Sequence, residues 1–493
     1  MQCDLNKRRA GVLLHITSLP GKGKQGELGA EAFRFVDFLH GAQVSVWQTL
    51  PLGMPHGDGS PYQCLSANAG NPAFIDLDSL QAKGWLDADD YQASAVDVEG
   101  LEAKRALLAK VFTQFLKAAN NTDRQAFRFF CEQQYRWLED FALFLALKIE
   151  FGQRSWREWP EPFKQRDYQS LREARRRLVD VIEFYKFEQF VFFQQWQALK
   201  HYAHQRGVLL LGDIPIFVAY DSVDVWAARK NFKLNDTGDM TVVAGVPPDY
   251  FSETGQRWGN PHYDWTYLQA TGFKWWLERM RVQQQLFDVV RIDHFRGLEA
   301  AWEIPASEET AINGSWVEAP GKALLEAITT SSKQIKLIAE DLGIITEAVE
   351  ELRDHFQLPG MKILQFAFDG SADNPYLPCR HIENCVVYTG THDNNTTLGW
   401  FNALNDDEKH RVYETLGFPT LSMPLVLVRE ALASIANLVI IPMQDILELD
   451  AEHRMNTPGT MVGNWQWRFE WSQLSDEKIA HFRHWVELYA RAI

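Results

Sequence analysis

Short apolar runs recur along the whole chain, and each is bounded by Gly, Pro, Asp or Asn. Runs of this kind are typical of strands that are buried on both faces of a sheet. They cover residues 11–16, 44–51, 208–216, 289–295, 335–342, 361–368, 385–391 and 437–444. Helical patterns lie between most of them, for example at 31–40, 322–330, 345–355 and 425–436. This alternation predicts an α/β fold in which helical crossovers connect parallel strands.

The eight strand–helix units predict closure into a (β/α)8 barrel, also called a TIM barrel. An open, doubly wound sheet would give much the same periodicity, so the pattern alone does not distinguish the two. A length of 493 residues fits either roughly three domains or one barrel with long insertions. Because the sequence has no internal repeat, low-complexity tract or flexible linker, we predict a single catalytic barrel over residues 1–493.

Two gaps between the predicted strands are too long for simple crossovers. The first, 52–206, follows the second strand, and its Gln, Arg, Glu and aromatic residues at helical spacing predict a mainly helical insertion. The second, 218–287, follows the third strand and is predicted to be irregular. Its long loop at 245–261 contains Trp258 and other aromatic residues, a poor composition for disorder. Long loops without secondary structure of their own are usually functional or disordered, so this loop is a candidate functional element.

Charge and cysteine content exclude several classes of protein. The chain has 49 Lys and Arg against 65 Asp and Glu, a formal net charge of −16, which disfavours binding to nucleic acid or to an anionic membrane surface. Its five cysteines lack CxxC spacing, so neither a zinc site nor a disulfide framework is expected. The chain has no signal peptide and no apolar run long enough to span a membrane, so we expect a cytoplasmic protein. Nothing in the sequence indicates an oligomeric state.

Acidic residues stand where four of the predicted strands finish. These residues are Asp213, Asp293, Glu340 and Asp393, the last preceded by His392. In barrel enzymes the carboxyl ends of the strands form the active face, so polar side chains at these ends point towards substrate. Any single one of them could instead be a structural ion pair, a helix cap or a turn residue, and His392 could be a core histidine. Four such positions together favour a catalytic site.

The spacing within one of these strands sharpens the prediction. Arg291 and Asp293 are two residues apart and therefore project to the same side of the sheet. A neighbouring cation keeps a carboxylate ionised, as a nucleophile requires. Retaining cleavage of a glycosidic bond needs a second carboxyl group in the opposite protonation state, and the longer side chain of Glu340 suits that role. Asp341 alternates to the other side and is predicted to be structural.

Several long motifs resemble, in family order, the bacterial 4-α-glucanotransferases (amylomaltases or disproportionating enzymes) of the α-amylase clan. They are Gly11-Val-Leu-Leu-His-Ile-Thr-Ser-Leu-Pro20, Trp47-Gln-Thr-Leu-Pro-Leu-Gly53, Ser60-Pro-Tyr-Gln63, Gly212-Asp-Ile-Pro-Ile-Phe217, Arg291-Ile-Asp-His-Phe-Arg-Gly297, Ala339-Glu-Asp-Leu-Gly343, Gly390-Thr-His-Asp-Asn394 and Asn464-Trp-Gln-Trp-Arg468. The resemblance runs from about residue 11 to the end of the chain. Two departures are Asn68, where an aromatic residue is commoner, and Asn395, which replaces a frequent Asp.

The resemblance implies roles for individual residues. Asp293 would be the nucleophile that forms a β-glucosyl-enzyme intermediate, Glu340 the general acid/base and Asp393 the transition-state stabiliser. The implied substrate-binding residues are Tyr62 on the donor ring, Asp213, Arg291 and His392 around the cleavage site, and Trp258 on the acceptor side. No metal or other cofactor is expected, because carboxyl groups handle both the proton and the covalent steps.

The implied activity is transfer of α-1,4-glucan segments from donor glucans, such as maltooligosaccharides or amylose, to the 4-hydroxyl of another glucan or glucose. An α-amylase-type retaining hydrolase is the alternative, and a glycan-binding protein on an inactive barrel is a third class. Transfer requires that water be kept away from the intermediate. In the 245–261 loop, Gly245, Gly255 and Gly259 could be hinges of a lid that does so. A packed surface loop without a gating role is the other interpretation.

Overall fold

The computed structural model describes residues 4–21, 23–94, 100–248, 252–332 and 335–493. Within these ranges the chain forms twelve strands. They are β1 (Arg9–Leu13), β2 (Val46–Gln48), β3 (Leu209–Pro215), β4 (Val242–Val246), β5 (Gln256–Pro261), β6 (Val289–Asp293), β7 (Ala300–Pro305), β8 (Ser315–Glu318), β9 (Lys336–Ala339), β10 (Gly360–Ile363), β11 (Cys385–Tyr388) and β12 (Leu438–Pro442).

The same ranges contain eighteen α-helices and several short 3₁₀ turns. The helices are α1 (Ala30–Gly41), α2 (Asp78–Ala82), α3 (Ala88–Ser94), α4 (Gly100–Ala118), α5 (Asn121–Glu150), α6 (Glu161–Lys164), α7 (Tyr168–Arg177), α8 (Val179–Gln205), α9 (Val223–Ala227), α10 (Trp265–Ala270), α11 (Lys274–Leu286), α12 (Gly321–Ser331), α13 (Glu347–His355), α14 (Thr397–Ala403), α15 (Asp406–Thr415), α16 (Leu425–Ala433), α17 (Met443–Ile446) and α18 (Asp476–Leu488). Of the helices described, none has both the length and the apolar character that a membrane crossing requires.

The barrel prediction is confirmed. Eight parallel strands pair in the order β10-β11-β12-β1-β2-β3-β6-β9, and each lies within or next to one of the eight predicted runs. The two end strands approach each other where the Ala339 amide donates to the Pro359 carbonyl at 3.0 Å, so the barrel is nearly closed. This arrangement brings the carboxyl ends of strands that are distant in the sequence to one face of the barrel.

Strand alternation fills the barrel interior with apolar side chains. Leu209 and Leu211 of β3 and Val289 of β6 belong to the interior cluster, whereas Val290 and Ile292 pack outwards against the surrounding helices. Neighbouring strands of the barrel approach each other closely here. A Cβ atom at Gly11, for example, would lie 2.3 Å from Ile440 Cδ1. The inward positions that follow the apolar residues, at the ends of β3 and β6, are the ones that reach the barrel mouth.

The connection between β2 and β3 contains helices α2 to α8. Its long helices α5 and α8 pack side by side, and α4 joins them through aromatic contacts. Phe115 lies 4.8 Å from Phe187 and Phe127 lies 5.4 Å from Phe190, measured between ring centroids. The abundance of aromatic residues in this part of the sequence therefore reflects packing between helices.

The connection between β3 and β6 differs from the irregular segment that the sequence predicted. It contains β4 and β5, which join β7 and β8 in an antiparallel sheet of order β5-β4-β7-β8. One pairing partner of β4 is the neighbouring β5, but the other, β7, lies some sixty residues away, with Val243 opposite Ile304, so local periodicity does not indicate the whole sheet. The predicted loop at 245–261 therefore includes the end of β4 and all of β5, and residues 249–251 lie outside the described ranges.

Candidate active site

The polar residues at the strand ends converge on one cleft of about 760 Å³ at the mouth of the barrel. Its walls include the side chains of Tyr62, Arg291, Asp293, Glu340 and Asp393. Trp258, Trp316 and Trp465 add aromatic surface to the same cleft. These residues come from β6, from the segments that follow β2, β9, β11 and β12, and from β5 and β8 of the antiparallel sheet, so the cleft is assembled by the fold from distant parts of the chain.

Arg291 joins two carboxylates beneath the cleft. Its Nη1 lies 2.6 Å from Asp213 Oδ2 and 3.0 Å from Asp293 Oδ1. Burial disfavours a charge on Arg291, but the two aspartates raise its pKa well above the ordinary value. The Tyr62 hydroxyl donates a further hydrogen bond of 2.7 Å to Asp213 Oδ2. Asp293 is therefore held by a permanently charged guanidinium that Asp213 orients from behind.

Glu340 is fixed by backbone amides and not by a cation. Its Oε2 accepts from the His294 amide at 2.6 Å, and its Oε1 accepts from the Leu342 amide at 2.9 Å. His294 has a φ of +61°, a conformation that non-glycine residues seldom adopt and that often marks a functional site. The turn that follows Asp293 thus aims its amide at Glu340, which links the two carboxyl groups geometrically.

The third carboxylate, that of Asp393, contacts an imidazole and a side-chain amide. Asp393 Oδ2 lies 3.3 Å from His392 Nε2, and Asp393 Oδ1 accepts from Asn456 Nδ2 at 2.7 Å. Burial raises the pKa of Asp393, but His392 and the hydrogen bond from Asn456 outweigh it and hold the pKa well below the ordinary value. Burial lowers the pKa of His392, and Asp393 more than reverses that effect. Asp393 is therefore charged throughout the neutral range.

The two carboxyl groups at the centre of the site have different pKa values. Burial raises the pKa of Asp293 to about 6, with Arg291 opposing that shift and Asp213 adding to it. Burial raises the pKa of Glu340 further, to about 8. Arg291 opposes this shift, and the negative charge of Asp293 adds to it. Between these values Asp293 is an anion and Glu340 carries a proton. A carboxylate beside a carboxylic acid is the combination that retaining glycosidic chemistry uses.

Aromatic rings border the polar centre. Tyr62 stacks against the His392 ring, with centroids 5.2 Å apart and an interplanar angle of 16°, and Trp465 lies 6.1 Å from Tyr62. The Trp258 ring contacts His294 edge-on, with the ring centroids 4.9 Å apart. The cleft therefore offers aromatic surfaces next to the carboxyl groups.

All eight site residues proposed from the sequence lie in or directly beneath this cleft. Asp341 points away, pairing with Arg353 at 2.6 Å and accepting from the Met361 amide, which agrees with the structural role predicted for it. Sequence reasoning missed Asn456, because an isolated Asn in a polar loop has no distinguishing pattern. It also gave no role to Trp316 or Trp465, although Trp465 lies within one of the motifs that carried the resemblance.

Among the residues that the structure describes, no group of three or more His, Cys, Asp or Glu side chains is arranged to hold a metal ion. The functional groups present are carboxyls, an imidazole and a guanidinium. A parallel barrel with a pair of carboxyl groups at its mouth is the arrangement of carbohydrate-active barrel enzymes.

Comparison with known proteins identifies the family within that class. A family profile described as 4-alpha-glucanotransferase matches residues 14–474. The chain is 46% identical to the 4-alpha-glucanotransferase of Synechocystis sp., with 99% of each chain covered. It is 47% identical to the enzyme of the same name from Thermus thermophilus, with 98% of this chain and 99% of the relative covered. Among solved structures, the amylomaltase from Streptococcus agalactiae in complex with acarbose gives a TM-score of 0.95 at 38% identity, with coverage of 99% of this chain and 100% of that one.

The chain therefore belongs to the 4-alpha-glucanotransferase family. The family prediction made from the motifs is confirmed, and so is the prediction of a glycosyltransferase-type enzyme. The hydrolase alternative is not favoured, because the matching relatives carry the name of the transferase over nearly their whole length.

Proposed function

We propose that this protein cleaves an α-1,4 bond in one glucan and re-forms it on the 4-hydroxyl of another glucan or of glucose, through a covalent intermediate on Asp293. The observation that carries the proposal is the different setting of the two carboxyl groups at the barrel mouth. Asp293 Oδ1 lies 3.0 Å from the Arg291 guanidinium, whereas Glu340 accepts hydrogen bonds from the backbone amides of His294 and Leu342. The pKa of Glu340, raised by burial, is accordingly the higher of the two. Maltooligosaccharides and amylose are the proposed donors, and the relatives' names support a glucan substrate.

In the first step the Asp293 carboxylate attacks the anomeric carbon of the donor. Glu340 gives its proton to the glycosidic oxygen, so that the bond to the leaving segment breaks as the bond to Asp293 forms. The sugar passes through a state with oxocarbenium character, and the charged Asp393 stabilises the positive charge. The product is a β-linked glucosyl ester on Asp293 and a released glucan with a free 4-hydroxyl.

In the second step Glu340, now a carboxylate, takes the proton from the 4-hydroxyl of the acceptor. The acceptor oxygen attacks the anomeric carbon, and the ester bond to Asp293 breaks, which restores the α configuration and both carboxyl groups. Asp213, Arg291 and His392 are proposed to hold sugar hydroxyls around the cleavage point. Tyr62 and Trp258 are proposed to contact the donor and acceptor rings, respectively, because both line the cleft and each contacts a different part of the site, Tyr62 the His392 ring and Trp258 the His294 ring.

Transfer needs an acceptor in place of water at the second step. We assign this selection to the substrate-binding insertion at 218–287, with 245–261 as a lid, since Val246, Pro247 and Trp258 from this segment line the cleft. Trp258 gives an acceptor sugar a surface that water cannot use, which favours sugar over solvent. We also propose that the enzyme works in the cytoplasm, which is consistent with the free thiols of Cys64, Cys131, Cys379 and Cys385.

Incubation of the purified protein with maltotriose tests the proposal. Transfer gives glucose and a ladder of longer oligomers, whereas attack by water gives mainly maltose and glucose. The Asp293→Asn and Glu340→Gln variants are expected to lose nearly all ladder formation while remaining folded, because each keeps the shape of the residue it replaces. Undiminished ladder formation by either variant would overturn the role assigned to that residue.

A further inference from the structure

The loop that carries Asp393 has both of its ends attached to one buried carboxylate. We call residues 390–396 the β11 loop, because they join β11 to α14. Thr389 directly precedes this loop, and its hydroxyl donates to Asp445 Oδ2 at 2.5 Å. Thr397 directly follows the loop. Its hydroxyl donates to the same oxygen at 2.7 Å, and its backbone amide donates to Asp445 Oδ1 at 2.8 Å. Asp445 therefore joins the two ends of the loop.

The three hydrogen bonds at the ends of the loop are sealed from solvent. Thr389 and Thr397 are 0% exposed, and Asp445 is 1% exposed. Water therefore does not compete for these donors and acceptors. A buried polar group that loses its partner costs roughly 1–3 kcal/mol, so any arrangement of the loop that breaks these contacts is disfavoured.

The barrel topology brings Asp445 next to this loop from a distant part of the sequence. β11 and β12 are neighbouring parallel strands, with Val387 opposite Val439. Asp445 lies in α17, directly after β12, and so stands beside the segment that follows β11. The chain after β12 also supplies Arg454, whose Nη2 donates to the Asp393 carbonyl at 2.9 Å. The loop is thus held at its ends and at Asp393 by residues that follow one strand.

Contacts inside the β11 loop connect the position of its ends to that of Asp393. Both the amide and the hydroxyl of Thr391 donate to Asn394 Oδ1 at 2.9 Å. The Asp393 amide donates to the Thr391 hydroxyl at 3.3 Å. Gln365 Nε2 donates to the Asn395 carbonyl at 2.9 Å. Because these contacts stiffen the loop, a displacement of its ends moves Asp393 as well.

The Asp393 carboxylate lines the cleft, where it contacts His392 at 3.3 Å and Asn456 Nδ2 at 2.7 Å. A side chain on the wall of a cleft is placed largely by its backbone. We propose that Asp445 is a positioning residue, which holds the β11 loop so that Asp393 keeps its place in the cleft. This role rests on the proposed function, in which Asp393 stabilises the transition state. Because Asp445 is buried, it acts through the loop and not by contact with substrate.

Two substitutions at Asp445 separate loss of the hydrogen bonds from loss of a charge. Asp445→Ala removes the acceptors of all three bonds. Asp445→Asn keeps the shape, because its Oδ1 accepts from the Thr397 amide and its Nδ2 donates to the two threonine hydroxyls, which can accept as well as donate. We expect Asp445→Ala to lower kcat for maltotriose disproportionation at least about tenfold, with KM changed less than about threefold, because small displacements of a catalytic group are costly. Asp445→Asn should keep more than about half of the wild-type kcat. Equal losses in the two variants would overturn the proposal.

Two further variants control for loss of stability. Thr389→Val nearly keeps the volume of the side chain and removes one of the three bonds, so it should lower kcat about threefold, and this holds even if Asp445→Ala fails to fold. A wild-type kcat in Thr389→Val would contradict the proposal. Asp288 is a matched control, because its side chain is 11% exposed and accepts from the Leu210 amide at 2.8 Å, but it precedes β6 at the opposite end of the barrel. Asp288→Ala should destabilise the protein and leave kcat within about twofold of wild type. A loss of kcat as large as that of Asp445→Ala would show that any buried carboxylate has this effect.

A double-mutant cycle tests whether Asp445 acts through Asp393. In the Asp393→Asn background, whose residual activity is measured at high enzyme concentration, Asp445→Ala should lower kcat less than about twofold. The same loss in this background as in the wild type would mean that the two residues act independently, and the proposal would be wrong.

Crystal structures of the wild type, Asp445→Ala and Asp445→Asn measure the position of the loop directly. We expect the Cα atoms of the β11 loop to move by about 0.5 Å or more in the Ala variant and to stay in place in the Asn variant. An unmoved loop in the Ala variant would overturn the proposal whatever its activity. A wild-type protein that does not disproportionate maltotriose would refute the proposed function, and the crystal structures would still decide whether Asp445 holds the loop.

Discussion

The pH dependence of the first chemical step follows from the two central carboxyl groups. The pKa of Asp293 is raised to about 6 and that of Glu340 to about 8, by burial in both cases. Because the proposed first step needs Asp293 ionised and Glu340 protonated, kcat/KM is expected to be maximal between these pKa values. Below this range Asp293 becomes protonated, and above it Glu340 loses its proton. In either direction each further pH unit lowers kcat/KM about tenfold. Because the two groups interact, the acid and basic limbs of the pH profile give apparent pKa values that belong to the pair.

The assay is the initial rate of glucose release from maltotriose at substrate concentrations below KM, measured from pH 5 to pH 9. At pH 5 the rate is expected to be about tenfold below the plateau because Asp293 is protonated, and at pH 9 about tenfold below it because Glu340 has lost its proton. The stability of the enzyme at each pH is checked by returning aliquots to pH 7, where full activity must be recovered.

A substitution assigns the two limbs to their residues. With α-maltotriosyl fluoride as donor, departure of fluoride needs no proton, so the first step proceeds without a general acid. Glu340→Gln is then expected to release fluoride with the acid limb near pH 6 retained and the basic limb absent. A basic limb that persists in this variant, or an acid limb that disappears with it, would show that the roles of Asp293 and Glu340 have been assigned incorrectly.

Three further predictions concern single residues. Glu340 has a raised pKa in the folded protein, so the free energy of unfolding of the wild type falls as pH rises from 4.5 through 8. Relative to wild type, Glu340→Gln should therefore gain stability as pH rises from 5 to 9, by about 1.4 kcal/mol for each pH unit up to pH 8. The exposed control Glu351→Gln should show no such gain, and thermal unfolding at both pH values checks this. Asn456→Ala removes the 2.7 Å hydrogen bond to Asp393 and should lower kcat/KM about tenfold in the maltotriose assay, whereas an unchanged value would contradict the role given to that bond. Trp258→Ala should raise the proportion of maltose formed by hydrolysis, and Trp258→Phe should not, as measured by chromatography of the products. Equal product ratios in the two variants would contradict the proposed contact between Trp258 and the acceptor.

The barrel could be predicted from the sequence because its strands have a strong local signal. Runs such as 289–295 are apolar on both faces and end in polar residues, and the spacing of Arg291 and Asp293 already places both at the barrel mouth. The β4–β7 pairing had no such signal, since β4 is stabilised by a strand that lies sixty residues further along the chain. Strand pairs of this kind depend on tertiary contacts that a local pattern does not contain.

The site shows the same division between local and tertiary information. Strand ends supplied the charged residues, but their protonation states come from surroundings contributed by other segments. Asp293 and Glu340 have side chains of nearly equal intrinsic acidity, and the fold separates them: Asp293 lies 3.0 Å from the Arg291 guanidinium, whereas Glu340 has only the amides of His294 and Leu342. A full charge opposes the effect of burial more strongly than amide dipoles do. The contact with Arg291 therefore supports the proposed roles of Asp293 as nucleophile and Glu340 as acid. A substitution that weakens this contact should reduce the difference between the pKa values of Asp293 and Glu340 while both carboxyl groups remain in place.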